Sequence, residues 1–262
     1  MLLYRIAPEG FWAVAESAAA PVLRILYSDP LETLPGGWEY GQEVSRESAP
    51  LLVPVQPSKI VCVGRNYVEH ARELNNPMPE EPLLFLKAPS SLTGPNAPIV
   101  LPPESQRVEH EGEIAVVLRG RLGRGATPEE ARSAVLGITC ANDVTARDLQ
   151  RKDAVFARSK SFDTFCPVGP AIRVPADIAD LEDLEVVTRV NGAERQRGHA
   201  RDMAFGIVDL LLYSSRMMTL EPGDVLLTGT PAGVGPLVDG DRVEVEVSGV
   251  GVLSNPVEAW KR

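Results

Sequence analysis

Short apolar runs broken by proline, glycine and asparagine dominate this chain, and only a few stretches carry the periodicity of an amphipathic helix. Near the start, residues 2–6, 11–15 and 22–27 read as strands. They are followed by the turn-forming Pro35-Gly36-Gly37 and a proline-punctuated stretch at 50–57. This pattern predicts a small β domain over residues 1–55 and a larger domain over 56–262. In the larger part, apolar runs at 60–63, 83–87, 114–118, 135–140, 225–227, 243–247 and 249–253 predict strands. Residues 184–190 and 193–197 flank Asn191-Gly192, a pair that accepts the positive backbone angles of a tight hairpin turn.

Three helices are expected. Asn66 is placed to cap one over 67–74, whose polar face would carry His70 and Glu73 one turn apart. Pro128, Glu129 and Glu130 open a second that ends near Leu136, because proline suits a first turn and acids suit the positive helix end. A third runs over 203–218 with Asp202 as cap and Ile207, Leu210, Leu211 and Ser214 on one face. Strands outnumber helices without a regular βα alternation, which predicts a strand-rich α+β fold rather than a doubly wound sheet.

Charge narrows the partners. With 26 basic against 36 acidic residues in 262, the net charge of −10 disfavours nonspecific contact with nucleic acid or an anionic membrane. No stretch approaches the length of an apolar membrane span and the first residues lack a secretory pattern, so a cytoplasmic protein is expected. Cys62, Cys140 and Cys166 sit in apolar surroundings with no zinc spacing and read as reduced core thiols. Lysine is scarce, only Lys59, Lys87, Lys152, Lys160 and Lys261, so each one in an apolar context carries weight.

Glu111 and Glu113 head the apolar run 114–118, and Asp143 follows the run 135–140. Residues i and i+2 of a strand point to one face about 7 Å apart, so the two glutamates can converge on one hard cation such as Mg²⁺ or Mn²⁺. Such a pair is also common on solvated strand faces, and spacing alone leaves both readings open. The glycine-rich segment from Gly229 to Gly235 lacks the Lys-Ser/Thr ending of a phosphate-binding loop and reads as a tight loop.

Six stretches in order resemble the fumarylacetoacetate hydrolase family: Gly64-Arg65-Asn66-Tyr67 with His70 and Glu73; Leu84-Phe85-Leu86-Lys87; His110-Glu111-Gly112-Glu113; Asn142-Asp143-Val144-Thr145-Ala146-Arg147-Asp148-Leu149-Gln150; Lys160-Ser161-Phe162-Asp163; and Thr228-Gly229-Thr230-Pro231-Ala232-Gly233-Val234-Gly235. The resemblance implies a mixed β-sandwich roll, a homodimer, and Mg²⁺ or Mn²⁺ held by Glu111, Glu113 and Asp143. The first 55 residues look like the N-terminal extension of bacterial 2-hydroxyhepta-2,4-diene-1,7-dioate isomerases.

By the same resemblance Lys160 would stabilise an enolate or carry a proton, with an ordinary salt bridge as its bland alternative. His70 and Glu73 would form a proton-transfer dyad, and Arg147, Gln150 and Thr230 would bind the substrate. His110 and His199 are expected to be structural or surface residues. The implied reaction is isomerisation of a 2-hydroxydienoate dicarboxylate from aromatic-acid breakdown. Acylpyruvate hydrolysis, oxaloacetate-type decarboxylation and a catalytically silent metal-stabilised binding protein are the alternatives.

Overall fold

The computed structural model describes residues 1–73, 77–176, 181 and 183–261. Its largest sheet runs, strand by neighbouring strand, Tyr40–Ser45, Val22–Leu26, Phe11–Ala15, Leu2–Ile6, Cys166–Arg173, Val135–Asn142, Gly112–Leu118, Val225–Leu227, Ile60–Gly64 and Leu83–Lys87. The strands of residues 1–55 thus continue this sheet, through the pairing of Leu2 with Arg173 and Leu3 with Ile172. A five-stranded sheet, ordered Ala193–His199, Glu185–Val190, Arg242–Val247, Gly251–Ala259 and Ile99–Leu101, packs on one of its faces. A three-stranded sheet joins Thr145–Ala146, Val108–His110 and Gly235–Pro236. The result is the strand-rich α+β fold with several mixed sheets that the sequence predicts.

Strand alternation explains why the central runs are apolar throughout. Ile114, Val116 and Leu118 face a core shared with Val245, Val247 and Leu253, while Ala115 and Val117 face a second core with Cys62, Cys166 and Val168. A strand buried on both faces has no polar side to display. The three cysteines are free and buried, and burial foremost pushes the Cys140 and Cys166 thiols up to about 12, as inert core thiols require.

The expected hairpin is present, with Asn191 at φ 52° and Gly192 at φ 78° between strands Glu185–Val190 and Ala193–His199. Helix boundaries differ more. Helix α1 is Val68–Glu73, and Asn66 does not cap it; its amide donates to the Phe205 and Thr228 carbonyls and accepts from the Phe205 N–H. The expected end at Leu74 lies outside the described residues. Helix α2 is Pro128–Ser133, closed by a reciprocal Thr127–Glu130 capping box, and Val135 and Leu136 belong to the next strand instead. Helices α3, Arg147–Lys152, and α4, Ala157–Lys160, were not expected. Helix α5 is Ile207–Met217, capped at Gly206, while Asp202 accepts from the His199 N–H in a preceding 3₁₀ turn. Among the described residues, no helix is long and apolar enough to cross a membrane.

Candidate active site

The chain switches sheets at Glu111, which lies between strands Val108–His110 and Gly112–Leu118. Pairing of Gly112 with Asn142 sets Asp143 beside it: the Asn142 side chain accepts from the Glu111 N–H at 2.9 Å, and the Glu111 carbonyl accepts from the Asp143 N–H at 2.8 Å. Gly112 permits the switch, because a Cβ there would stand 1.9 Å from Thr188 Oγ1. Glu113, the second residue of its strand, has its Oε2 fixed by the Gly229 N–H at 2.6 Å.

Glu111, Glu113 and Asp143 therefore converge, each offering an oxygen within 4.8 Å of the others, and all three are buried. Two lysines hold the cluster. Lys160 Nζ lies 2.9 Å from Glu111 Oε2 and 2.5 Å from Asp143 Oδ2, and Lys87 Nζ lies 2.7 Å from Asp143 Oδ1. Lys160 also stacks its ammonium 5.0 Å from the Phe85 ring centroid. Arg147 bridges Glu111, Glu109 and Gln150, spending one N–H from each of its nitrogens and leaving two of its five donors unspent.

These contacts divide the carboxylates. Burial pushes Glu111 towards protonation, but Lys160 and Arg147 overcome it and hold the carboxyl well below its usual range. Burial, Asp143 and Glu111 all push Glu113 the other way, well above that range. Burial opposes charge on Lys160, yet Asp143 and Glu111 outweigh it and raise its pKa. A triad of hard oxygen donors with one member short of compensating charge fits a divalent cation.

The triad forms one wall of a cavity of about 250 Å³ that brings every expected site residue except Glu73 to its lining: His70, Arg147, Gln150, Lys160 and Thr230. Glu73 stands behind His70, its Oε2 at 3.4 Å from Nδ1, and its carboxylate also accepts the Gly233 N–H at 3.1 and 3.2 Å. Thr230 is differently engaged than expected. Its hydroxyl donates to the Gly112 carbonyl and accepts from Gln196 Nε2, so its proton is not directed at a ligand. His110 is buried against Gln196, and His199 lies beside Glu185, both outside the cavity.

Sequence reasoning passed over Lys87, Glu109 and Gln196. Lysine scarcity and the Leu84–Lys87 stretch marked Lys87, a buried cation ending an apolar strand, but gave it no role at the site. Gln196 sits in a largely exposed strand and gives no signal in the sequence.

The profile of the fumarylacetoacetate (FAA) hydrolase C-terminal family matches residues 59–258. The chain belongs to this family, as the buried carboxylate triad beside a lysine in a strand-rich fold had indicated. Human mitochondrial oxaloacetate tautomerase FAHD2A is 44% identical over 222 residues, which cover 81% of this chain and 70% of that protein. The crystal structure of a 5-carboxymethyl-2-hydroxymuconate delta-isomerase from Mycobacterium smegmatis superposes with TM-score 0.89 at 40% identity, covering 99% of this chain and 100% of that one. A 2-hydroxyhepta-2,4-diene-1,7-dioate isomerase from Mycobacterium marinum superposes with TM-score 0.88 at 38% identity, covering all of both chains.

Proposed function

We propose that this protein is a divalent-metal-dependent isomerase of 2-hydroxydienoate or 2-oxo dicarboxylates, of the kind arising in aromatic-acid breakdown. The observation that carries this reading is the Lys160 ammonium buried between Glu111 and Asp143, in the same cavity as His70. Glu111, Glu113 and Asp143 would hold Mg²⁺ or Mn²⁺. When bound, the ion supplies electrostatic stabilisation of negative charge on the oxygen at carbon 2. The isomerase and tautomerase names of the relatives support proton transfer on an enol as the chemistry.

Isomerisation removes the proton of the enol oxygen and adds one to a carbon of the conjugated chain, so no atom of the substrate is gained or lost. Lys160 offers positive charge where the enolate oxygen develops its own. His70 faces Glu73 through Nδ1, which leaves Nε2 as the nitrogen free to exchange a proton. The two spare N–H groups of Arg147, with Gln150, receive the carboxylate next to the reacting oxygen. Thr230 closes that wall, braced by Gly112 and Gln196. Apolar Val63, Leu83, Phe85 and Phe156 line the rest and suit a planar carbon chain.

The His70–Glu73 pair favours a second reading, C–C hydrolysis of an acylpyruvate, because a carboxylate-oriented imidazole can take a proton from water. A panel of 2-oxo and 2-hydroxydienoate acids incubated with Mg²⁺ separates the two by mass. Isomerisation conserves mass, whereas cleavage to two fragments as the fastest reaction would replace the first reading with the second.

A further inference from the structure

We infer that Arg65 and Arg151 form a subsite for a second carboxylate, at the far end of the substrate from the carbon-2 oxygen. The subsite depends on the 2-oxo acid reading above and names the residues that would make the enzyme select diacids. Both arginines line the cavity of the carboxylate triad. Among the described residues neither has a carboxylate within 4 Å, although Arg147, Lys87 and Lys160 are each held by acids. In a chain of net charge −10, two uncompensated cations at one cavity are unusual.

The inner half of the cavity does not need them. There Glu109, Glu111, Glu113 and Asp143 face Lys87, Arg107, Arg147 and Lys160, leaving no net charge. A divalent cation turns this to +2, which the near substrate carboxylate and the enolate oxygen at carbon 2 together balance. Arg65 and Arg151 then remain as positive charge that a monoacid leaves unanswered.

Arg65 is also held in a conformation that side-chain-bearing residues adopt at a cost, φ 58°. It stands between the strand end at Gly64 and Asn66, whose amide is fixed at three points to Phe205 and Thr228. That clamp keeps the half-buried Arg65 at the cavity rather than in solvent. Arg151 reaches the same cavity from the exposed last turn of helix α3, the helix that supplies Arg147 and Gln150. Apolar Val63, Leu83, Phe85 and Phe156 in the same lining suit the carbon chain that would join two carboxylates.

The test is calorimetric titration of the Mg²⁺-loaded protein with 2-oxoadipate and 2-oxohexanoate, which share a carbon chain and differ in the distal carboxylate. The diacid should bind roughly 10–100-fold tighter, as one or two charge-assisted contacts allow. Arg151→Gln should cut this ratio several-fold, and Arg65→Asn with Arg151→Gln should bring it towards one; asparagine tolerates the positive φ at 65. Arg151→Gln alters an exposed helix position, so its ratio decides the matter even where the double variant fails to fold. A ratio near one in the wild type, or an unchanged ratio in Arg151→Gln and in the folded double variant, would overturn the subsite alone. No Mg²⁺-dependent binding of either acid would overturn the 2-oxo acid reading, and the subsite with it.

Discussion

Replacing Lys160 by methionine removes the one cation among the described residues that touches both Glu111 and Asp143, at 2.9 and 2.5 Å, while keeping most of the side-chain volume. At an effective dielectric of about 20, these contacts correspond to roughly 6 and 7 kcal/mol of bare attraction. Desolvation of the buried ions takes back several kcal/mol each, so the net loss on removing one partner is about 3–5 kcal/mol. For a chain of this size that lowers Tm by roughly 6–20 °C. The lost positive charge makes the carboxylate site more negative, so saturating Mg²⁺ should raise Tm more in Lys160→Met than in the wild type. Activity on the best 2-hydroxydienoate should fall about 10²–10³-fold, mainly in kcat, because charge on the oxygen grows towards the transition state. Thermal melts with and without Mg²⁺, paired with steady-state kinetics, read both effects. Wild-type kcat/KM in the Mg²⁺-loaded variant would return Lys160 to an ordinary salt bridge and remove the proposed cation from the mechanism.

Glu73→Gln removes the charge behind His70, so any hydrolytic turnover should drop about 10²–10⁴-fold, while isomerisation, whose enolate charge Lys160 still stabilises and whose proton Lys160 can carry in place of His70, drops less; equal losses in single-turnover assays would contradict that division. Gly233 has φ 102°, and a Cβ there would lie 1.9 Å from the Arg195 carbonyl oxygen. Gly233→Ala should therefore displace the loop that Glu73 binds, lowering both Tm and kcat, and an unchanged melt and rate would show that the loop conformation is not needed. Asp224 accepts from Ser58, Lys59 and Glu221, and these contacts overcome burial to hold its pKa below the usual value. A depressed folded pKa adds stability that is full above the unfolded value, about 3.9, and is lost as pH falls through the folded one. The gap in urea midpoint between wild type and Asp224→Asn should thus shrink from pH 7 to pH 3, and a constant gap would refute the linkage.

Much of this was legible in the sequence because the relevant physics is local. The central strands announce themselves as uninterrupted apolar runs, the Asn191-Gly192 turn by its backbone angles, and Glu111 and Glu113 by their Glu-x-Glu spacing, although Glu111 itself lies between two strands rather than in one. Strand Cys166–Arg173 was not legible. Its Pro167 and Pro170 argue against an interior strand, yet it lies between Leu2–Ile6 and Val135–Asn142, with a register shift at Ile138/Cys140 absorbing the irregularity. Helices α3 and α4 are too short for periodicity to mark, although they deliver Arg147, Gln150 and Lys160 to the cavity. Asn66 has the chemistry of a cap and uses it on a distant segment, a choice made by tertiary packing alone. Lys87 and Gln196 act through partners far away in the chain, Asp143 and Thr230, which no local pattern reveals.

The central claim is that the Glu111, Glu113 and Asp143 carboxylates hold the ion on which enol chemistry depends. Its most direct test is to titrate Mn²⁺ into EDTA-stripped protein while following conversion of a 2-hydroxydienoate dicarboxylate to its 2-oxo isomer, in the wild type and in Glu113→Gln. Activity should rise with occupancy of one tight site per chain and fall reversibly on chelation, and Glu113→Gln should lose both the site and the rate. Full turnover in excess EDTA, or an unaltered Mn²⁺ isotherm in Glu113→Gln, would contradict it.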